Sequence, residues 1–358
     1  MKILIIADWH GAEIYAGAFY NGFKSLGYEV YKFSWKEYFK HYQYAHAYKT
    51  DGNKIKSFYH KFQNKFLIGP AIWKINSDVV KKVQEIKPDL VFIYRGTHIY
   101  PKTIQKIKQY GCKVFGYNND DPFSNKYGLL NFRLWSLYKK SIFEYDWIFS
   151  YRWKNIDDYK NLGYNNVSLL RSYYIKEKNF LIQNIKKKCE VIFIGHWEND
   201  GRDETIKYLL DNGINIKLFG MEWQRSKYYK FFIQKMGEIK PIYEKEYNLT
   251  INQAKIALVF LSKLNNDTYT RRCFEIPATK TMMISEYADD LADNLFEEDK
   301  EAVYFRNKKE LLEKVHFYLS NEDKIKEVGE NGYNRLMRDG HEVKDRCEEI
   351  IKVYNEIK

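Results

Sequence analysis

The sequence predicts an α/β protein made of two Rossmann-like domains with a cleft between them. Three observations predict it. Apolar runs of strand length alternate with amphipathic helical stretches, the pattern of a parallel sheet covered by helices. Near the middle of the chain the pattern lapses into polar, lysine-rich sequence and then starts again. Charge divides at the same place: residues 1–188 hold 32 Lys/Arg against 15 Asp/Glu, a net +17, while residues 189–358 hold 27 against 32, a net −5.

The first cycle opens with KILIIA, residues 2–7, as a buried strand. A helix over 14–26 and a turn at Gly27 lead to a second strand at 29–33. Strands at 89–94, 113–117 and 147–151 follow with helical material between them, and 167–170 closes this half. Residues 173–188 read as a linker. The second cycle runs through a strand at 190–195, a helix at 202–212 and strands at 214–219 and 256–260. A helix from about Arg271, a strand at 282–285 and helices at 308–320, 323–339 and 341–357 complete it. The expected division is 1–185, 186–340 and a C-terminal helix, 341–358, that is a candidate to return to the first domain.

At 358 residues, 45% hydrophobic and 30% charged, the chain has the length and composition of two globular domains. No stretch reaches the roughly 18 apolar residues that span a bilayer. The N-terminus reads as a strand and not as a secretory leader. A cytoplasmic protein is expected, one able to lie at the inner face of the membrane. Cys112, Cys189, Cys273 and Cys347 are scattered, which predicts reduced, buried thiols and no zinc site. The net charge of +12 lies in the first half, where it would draw nucleic acid, anionic lipid or an acidic acceptor. AT-rich coding accounts for abundant Lys and Tyr, but not for the acidic residues gathering in the second half.

Ligands of open α/β sheets sit beyond the carboxyl ends of the strands, so the segments following strands carry the candidate chemistry. NNDTYTRRCFEIPA, residues 265–278, follows one strand and opens a helix. Arg271 and Arg272 at that helix start suit diphosphate oxygens, and Asp267 and Glu275, eight positions apart, suit hydroxyls. An ordinary capped helix with surface arginines gives the same pattern. In IFIGHWENDGR, residues 192–202, a strand ending at Gly195 lets backbone approach a phosphate. Trp223, in the loop after the next strand, suits base stacking or packing. In the first half ADWHG places Asp8, Trp9 and His10 after strand one. YRGTHIYP places Arg95 and His98 after a later strand, and YNNDDPFS places Asp120 and Asp121 after the next. Residues 35–74 interleave aromatics with lysines, as a membrane interface, a glycan-binding face, a nucleic-acid stacking surface or a packed amphipathic helix pair would.

TRRCFEIPA, together with SEYADDLADNLFEEDKEAVYFRNKKELLEKVHFYL and the terminal HEVKDRCEEI, resembles the glycosyltransferase group 1 domain, which is family 4-like. The nearest pattern is that of the spore-maturation-protein-like branch: Arg272, Phe274 and Glu275 match one of its elements, and Glu301, Val303 and Tyr304 another. The resemblance implies a GT-B fold and a sugar transferred from a nucleotide-diphosphate sugar to a glycan or lipid-linked acceptor. It also implies a setting in cell-surface polysaccharide assembly with no cofactor; no Asp-x-Asp stands in a donor loop, so no metal is expected, and no nucleic-acid motif points to nucleic acid. By the same resemblance the donor contacts are Gly195, Arg202, Asp267, Thr270, Arg271, Arg272, Phe274 and Glu275, with Glu275 on the ribose and Arg202 on the phosphates. Asp267 stands where relatives carry Glu, and Lys280 where they commonly carry Gly. A retaining course would use His98 against the sugar; an inverting one would use Asp121 or Asp8 as base. Trp9, His10, Arg95 and Asp120 are the acceptor candidates. A sugar-nucleotide epimerase of the same fold and a basic nucleic-acid-binding protein are the alternatives. A dehydrogenase is disfavoured, because DWHGAE lacks the spaced glycines of a dinucleotide loop.

Overall fold

The computed structural model describes residues 1–9, 14–39, 54–125 and 133–358. The chain forms two compact units: Met1–Arg171 with Val343–Lys358, and Ser172–Glu342. His10, Tyr42 and Tyr44, singled out from the sequence or lying in its aromatic stretch, fall outside the described residues.

Unit 1 runs β1 (Lys2–Ala7), α1 (Ala16–Ser25), β2 (Glu29–Ser34), α2 (Lys54–Phe66), α3 (Pro70–Ile86), β3 (Leu90–Tyr94) and α4 (Pro101–Lys108). It continues with β4 (Lys113–Asn118), α5 (Ser136–Ser141), β5 (Trp147–Ser150), α6 (Trp153–Asn161) and β6 (Val167–Leu169). The six strands are parallel in the order β2-β1-β3-β4-β5-β6. Helices cover both faces of such a sheet, so its central strands are apolar throughout instead of alternating. LVFIY of β3 is buried at every position.

Unit 2 runs β7 (Cys189–Ile194), α7 (Arg202–Asp211), β8 (Ile216–Phe219), α8 (Tyr229–Met236), α9 (Glu244–Asn252), β9 (Ala254–Val259) and α10 (Arg272–Glu275). After these come β10 (Met282–Glu286), α11 (Asp289–Asn294), β11 (Val303–Phe305), α12 (Lys308–Leu319) and α13 (Glu322–Arg338). Its parallel order is β11-β10-β9-β7-β8. Both sheets follow one plan: the second strand lies on one side of the first and the third on the other. The winding direction therefore reverses between β1 and β3 in unit 1 and between β7 and β9 in unit 2, and that reversal opens a crevice at the strand ends.

The chain leaves unit 1 earlier than the sequence expectation of residue 185. Residues 172–188 belong to unit 2 because hydrogen bonds tie them to α9. Asn248 Oδ1 accepts from Phe180 N at 3.1 Å, Asn252 Oδ1 accepts from Ile182 N at 2.8 Å, and Lys187 Nζ donates to Asn252 O at 2.9 Å. The last helix, α14 (Val343–Ile357), lies in unit 1. It buries Cys347, Ile350, Ile351 and Tyr354, and its Cys347 sits so close to α1 that a Cβ on Gly22 would lie 2.7 Å from the sulfur. All four cysteines are buried free thiols. Among the described residues no helix is long and apolar enough to cross a membrane.

Candidate functional site

The reversal point of unit 2 is built from the loop after β7 and the loop after β9. Gly195 ends β7, its N–H donating to Phe219 O at 2.8 Å. Gly220, after β8, has φ +143, and a Cβ there would lie 1.9 Å from Gly195 O. Only glycine lets the two loops run this close. Trp223 Nε1 donates to the same carbonyl at 2.9 Å, and the indole is buried against Phe193 and Phe232. Trp223 is thus a packing anchor and not a stacking platform for a base. Arg202 is buried within its own loop. Its guanidinium pairs bidentately with Asp200, Nε to Oδ1 at 2.9 Å and Nη2 to Oδ2 at 2.6 Å, and Nη1 donates to His196 O at 2.7 Å. Held this way, Arg202 shapes the loop and has little left to offer a phosphate. Its Nη2 also lies 3.4 Å from Glu198, whose other oxygen accepts from Ser262 Oγ at 2.8 Å. Ser262 follows β9, so this pair joins the two loops across the reversal.

The 265–275 segment lies beyond. Asp267 N donates to Ser262 O at 3.0 Å and Thr268 Oγ1 to Asp290 at 3.1 Å, which ties the segment to β9's end and to α11. Glu275 is buried, and its two oxygens accept from Arg271 Nε at 2.6 Å and Tyr247 OH at 2.5 Å. Burial and the adjacent carboxylate push the Tyr247 phenol well above its ordinary range, so it stays a donor. Beside them Arg272 Nε and Thr270 Oγ1 are buried with no hydrogen-bond partner in the chain. An unpaired buried donor is costly, and these two atoms belong to the same segment as the paired carboxylate. Phe274 is a core residue. It is fully buried between Tyr269 and His341 because the opening turn of α10 faces the core. Lys280 pairs with Glu330 at 2.6 Å and has φ +56, a conformation that favours glycine. Glu301 pairs with Arg335 at 3.1 Å, and Val303 and Tyr304 of β11 are core.

Three neighbouring strands of unit 1 bring together Asp8 after β1, Arg95 after β3 and Asp120 after β4. Arg95 Nη2 lies 2.9 Å from Asp120 Oδ2, Arg95 Nη1 lies 3.9 Å from Asp8 Oδ2, and the guanidinium rests over the Trp135 ring. Arg95 has φ +69, so the chain leaves β3 through a left-handed residue. Trp9 turns toward β2. Its Nε1 donates to Phe33 O at 2.7 Å, and it lines a cavity of about 850 Å³ shared with Lys32, Ser34, Glu37, Tyr38, Lys74 and Asp78.

Two expected catalytic residues of unit 1 prove structural. His98 is 1% exposed and stacked on Trp35. Thr97 Oγ1 and Asn64 Oδ1 occupy its ring nitrogens, both at 2.8 Å. Burial, reinforced by the nearby Arg95 charge, pushes the imidazole down to about 3. Both ring nitrogens are thus engaged within unit 1. Asp121 is 0% exposed. Its Oδ1 accepts from Phe123 N and Asn155 Nδ2, and its Oδ2 faces Lys154. It closes a turn and anchors α6.

Comparison with known proteins now bears on these two units. Residues 202–352 match the family described as glycosyl transferase-like. No curated protein matches the sequence. Sucrose-phosphate synthase from Thermosynechococcus elongatus shares 11% identity over 100% of this chain and 99% of its own, with a TM-score of 0.70. HepE from Anabaena, solved in complex with UDP, shares 12% identity over 99% and 100%, with a TM-score of 0.64. A putative UDP-N-acetylglucosamine 2-epimerase from Listeria monocytogenes shares 9% over 98% and 94%, with a TM-score of 0.57. The fold is GT-B.

Within this GT-B chain several residues at the candidate site carry no signal in the sequence. Tyr247 comes from α9, 28 positions before the carboxylate it holds. Glu198 and Ser262 meet across 64 positions, and Glu286, at the end of β10, accepts from Leu261 N at 2.6 Å and faces Lys263 at 3.3 Å. Arg152, after β5, donates to Asn119 O at 2.8 Å and buttresses the Asp120 loop. The one available cue was position: Glu198, Ser262 and Arg152 lie just after a strand, and Glu286 is the last residue of one.

Proposed function

We propose that the chain transfers a sugar from a nucleoside-diphosphate sugar to a hydroxyl of a glycan or lipid-linked glycan. The observation that carries this reading is the Glu275 cluster. A buried carboxylate is held by Tyr247 and Arg271, and the open buried atoms Arg272 Nε and Thr270 Oγ1 lie beside it. Glu275 accepts from the ribose hydroxyls, while Arg272 meets the negative charge that grows on the diphosphate as it leaves. Asp267 takes the sugar hydroxyls. HepE, of the same fold, was solved in complex with UDP-glucose, so a uridine diphosphate donor is the first to try. Arginine meets the phosphate charge here, and the reading assigns no metal or cofactor.

In the reaction the bond from the anomeric carbon to the diphosphate oxygen breaks and a bond to the acceptor oxygen forms. With His98 and Asp121 engaged in the core and Asp8 and Asp120 both facing Arg95, we read the course as retaining. The departing phosphate then takes the acceptor's proton. Asp8, Arg95 and Asp120 orient the acceptor, and Trp9 offers it an indole face at the adjoining cavity. From the likeness of Arg272, Phe274 and Glu275 to the spore-maturation-like branch we further propose action on the cytoplasmic side in cell-surface polysaccharide assembly.

The test is a thermal shift with UDP and UDP-sugars on the wild type and on Glu275→Ala and Arg272→Ala. UDP should raise Tm in the wild type and in neither variant. A shift that survives both substitutions undiminished would remove the donor site from this segment. Product analysis with and without acceptor separates transfer from epimerisation, which needs only donor.

A further inference from the structure

Helix α2 is mounted inside out. An amphipathic helix of a water-soluble domain turns its apolar stripe to the core and its polar face to water. In α2 the one buried residue is Gln63, whose Oε1 accepts from Ala71 N at 2.8 Å. The neighbouring Asn64 reaches inward to His98 at 2.8 Å, and His60 meets the edge of Phe39. The apolar side faces outward. Ile55 is 83% exposed and Phe58 71%, with Tyr59 and Phe62 also exposed. These four positions are spaced i, i+3, i+4 and i+7, which at 3.6 residues per turn is one continuous stripe. Past the helix end Ile68 and, in the first turn of α3, Trp73 (62% exposed) are further exposed apolar side chains.

Along this segment the charge is of one sign, with Lys74 at its end paired to Asp78 at 2.8 Å. From residue 54 to residue 76 there are five lysines and no Asp or Glu. The same helical geometry puts Lys54, Lys61 and Lys65 along one edge of the stripe, and Arg133 sits 4.5 Å over the ring of Phe66. Apolar and aromatic side chains framed by lysines complement a lipid surface: the rings enter the acyl boundary and the ammonium groups stay among anionic headgroups. A second copy of the chain fits poorly, since a two-fold contact lays the same patch against itself and opposes lysine to lysine. We propose that α2, with the exposed apolar residues of the 68–73 segment that opens α3, forms a lipid-docking face that holds unit 1 against an anionic bilayer surface.

The experiment is co-sedimentation of the full chain with phosphatidylcholine–phosphatidylglycerol vesicles and with pure phosphatidylcholine vesicles, at low and high salt. Binding to the anionic vesicles that weakens with salt is expected, with little binding to the neutral ones. Phe58→Asp with Phe62→Asp should lower it by about tenfold or more, the scale of losing a buried aromatic ring. Both side chains are exposed, so Tm in the absence of vesicles should hold. Absence of binding to anionic vesicles, or binding unchanged in the double variant, overturns the proposal. So does a wild-type dimer in analytical ultracentrifugation that the double variant dissociates, which would assign the face to a second copy. The readout needs no sugar nucleotide. A double variant that still shows the UDP thermal shift separates failure here from failure of the donor reading.

Discussion

Ser262 Oγ donates to Glu198 Oε2 at 2.8 Å, joining the loop after β9 to the loop after β7 where the sheet of unit 2 reverses its winding. Glu198 also faces Arg202, so one carboxylate couples both loops to the Arg202–Asp200 pair. Ser262→Ala removes the bridge and leaves the sheet intact. UDP affinity should fall by about three- to tenfold, the scale of one side-chain hydrogen bond, with Tm lowered by only a few degrees. Isothermal titration checks this, and unchanged affinity would show that the bridge does not shape the nucleotide site.

Tyr247 and Glu275 form the second coupling. Tyr247→Phe leaves the ring in place and deprives a buried carboxylate of one of its donors. A loss of about 1–3 kcal/mol is expected in urea unfolding. UDP affinity should drop with it, because Arg271 alone then orients the carboxylate. Stability equal to wild type would mean that water replaces the phenol without loss.

At Gly220 the prediction is steric. A Cβ 1.9 Å from Gly195 O cannot be accommodated without moving backbone, and φ +143 adds strain for any side chain. Gly220→Ala should cost about 3 kcal/mol or more and yield little soluble protein. Gly213→Ala is the control: its φ is +81, but nothing lies within 4 Å of the added carbon. It should cost about 1 kcal/mol. Equal costs would put the penalty in φ alone.

His98 sets a pH dependence. Its imidazole is held down to about 3 in the fold by burial, with Arg95 adding to it, and it returns to about 6.5 in the unfolded chain. Between those values the unfolded chain binds a proton that the folded chain refuses. The contribution is complete above about pH 6.5 and is lost as pH falls toward about 3, at up to about 1.4 kcal/mol per pH unit. His98→Gln should be less stable at neutral pH and should lack this share of the slope when unfolding is compared at about pH 6 and about pH 4. Identical slopes would show that the imidazole is not the group that titrates.

The alternation of strands and helices placed the elements near the site well, since β1, β3 and β7 are apolar runs that only a buried parallel strand explains. Segment chemistry was legible where it is local. Arg271 and Glu275 sit four apart and pair with each other. It failed where a polar residue near a strand end turns inward. His98 and Asp121 look like neighbours of Arg95 and Asp120 in the sequence, yet the backbone directs one under α2 and the other into the turn after β4, against α6. Phe274 failed likewise, because nothing in the motif tells which side of a short helix faces the core. The lysine-and-aromatic stretch was noticed from composition; that α2 presents its apolar side outward was not.

The sequence alone therefore determined the two-cycle α/β plan, because apolar periodicity is a local property that burial imposes on every strand and helix. Only the tertiary structure decided which polar side chains are available to a ligand and which are engaged in the core. Availability depends on partners far apart in the chain, such as Tyr247 for Glu275 and Asn64 for His98, and no local pattern records them.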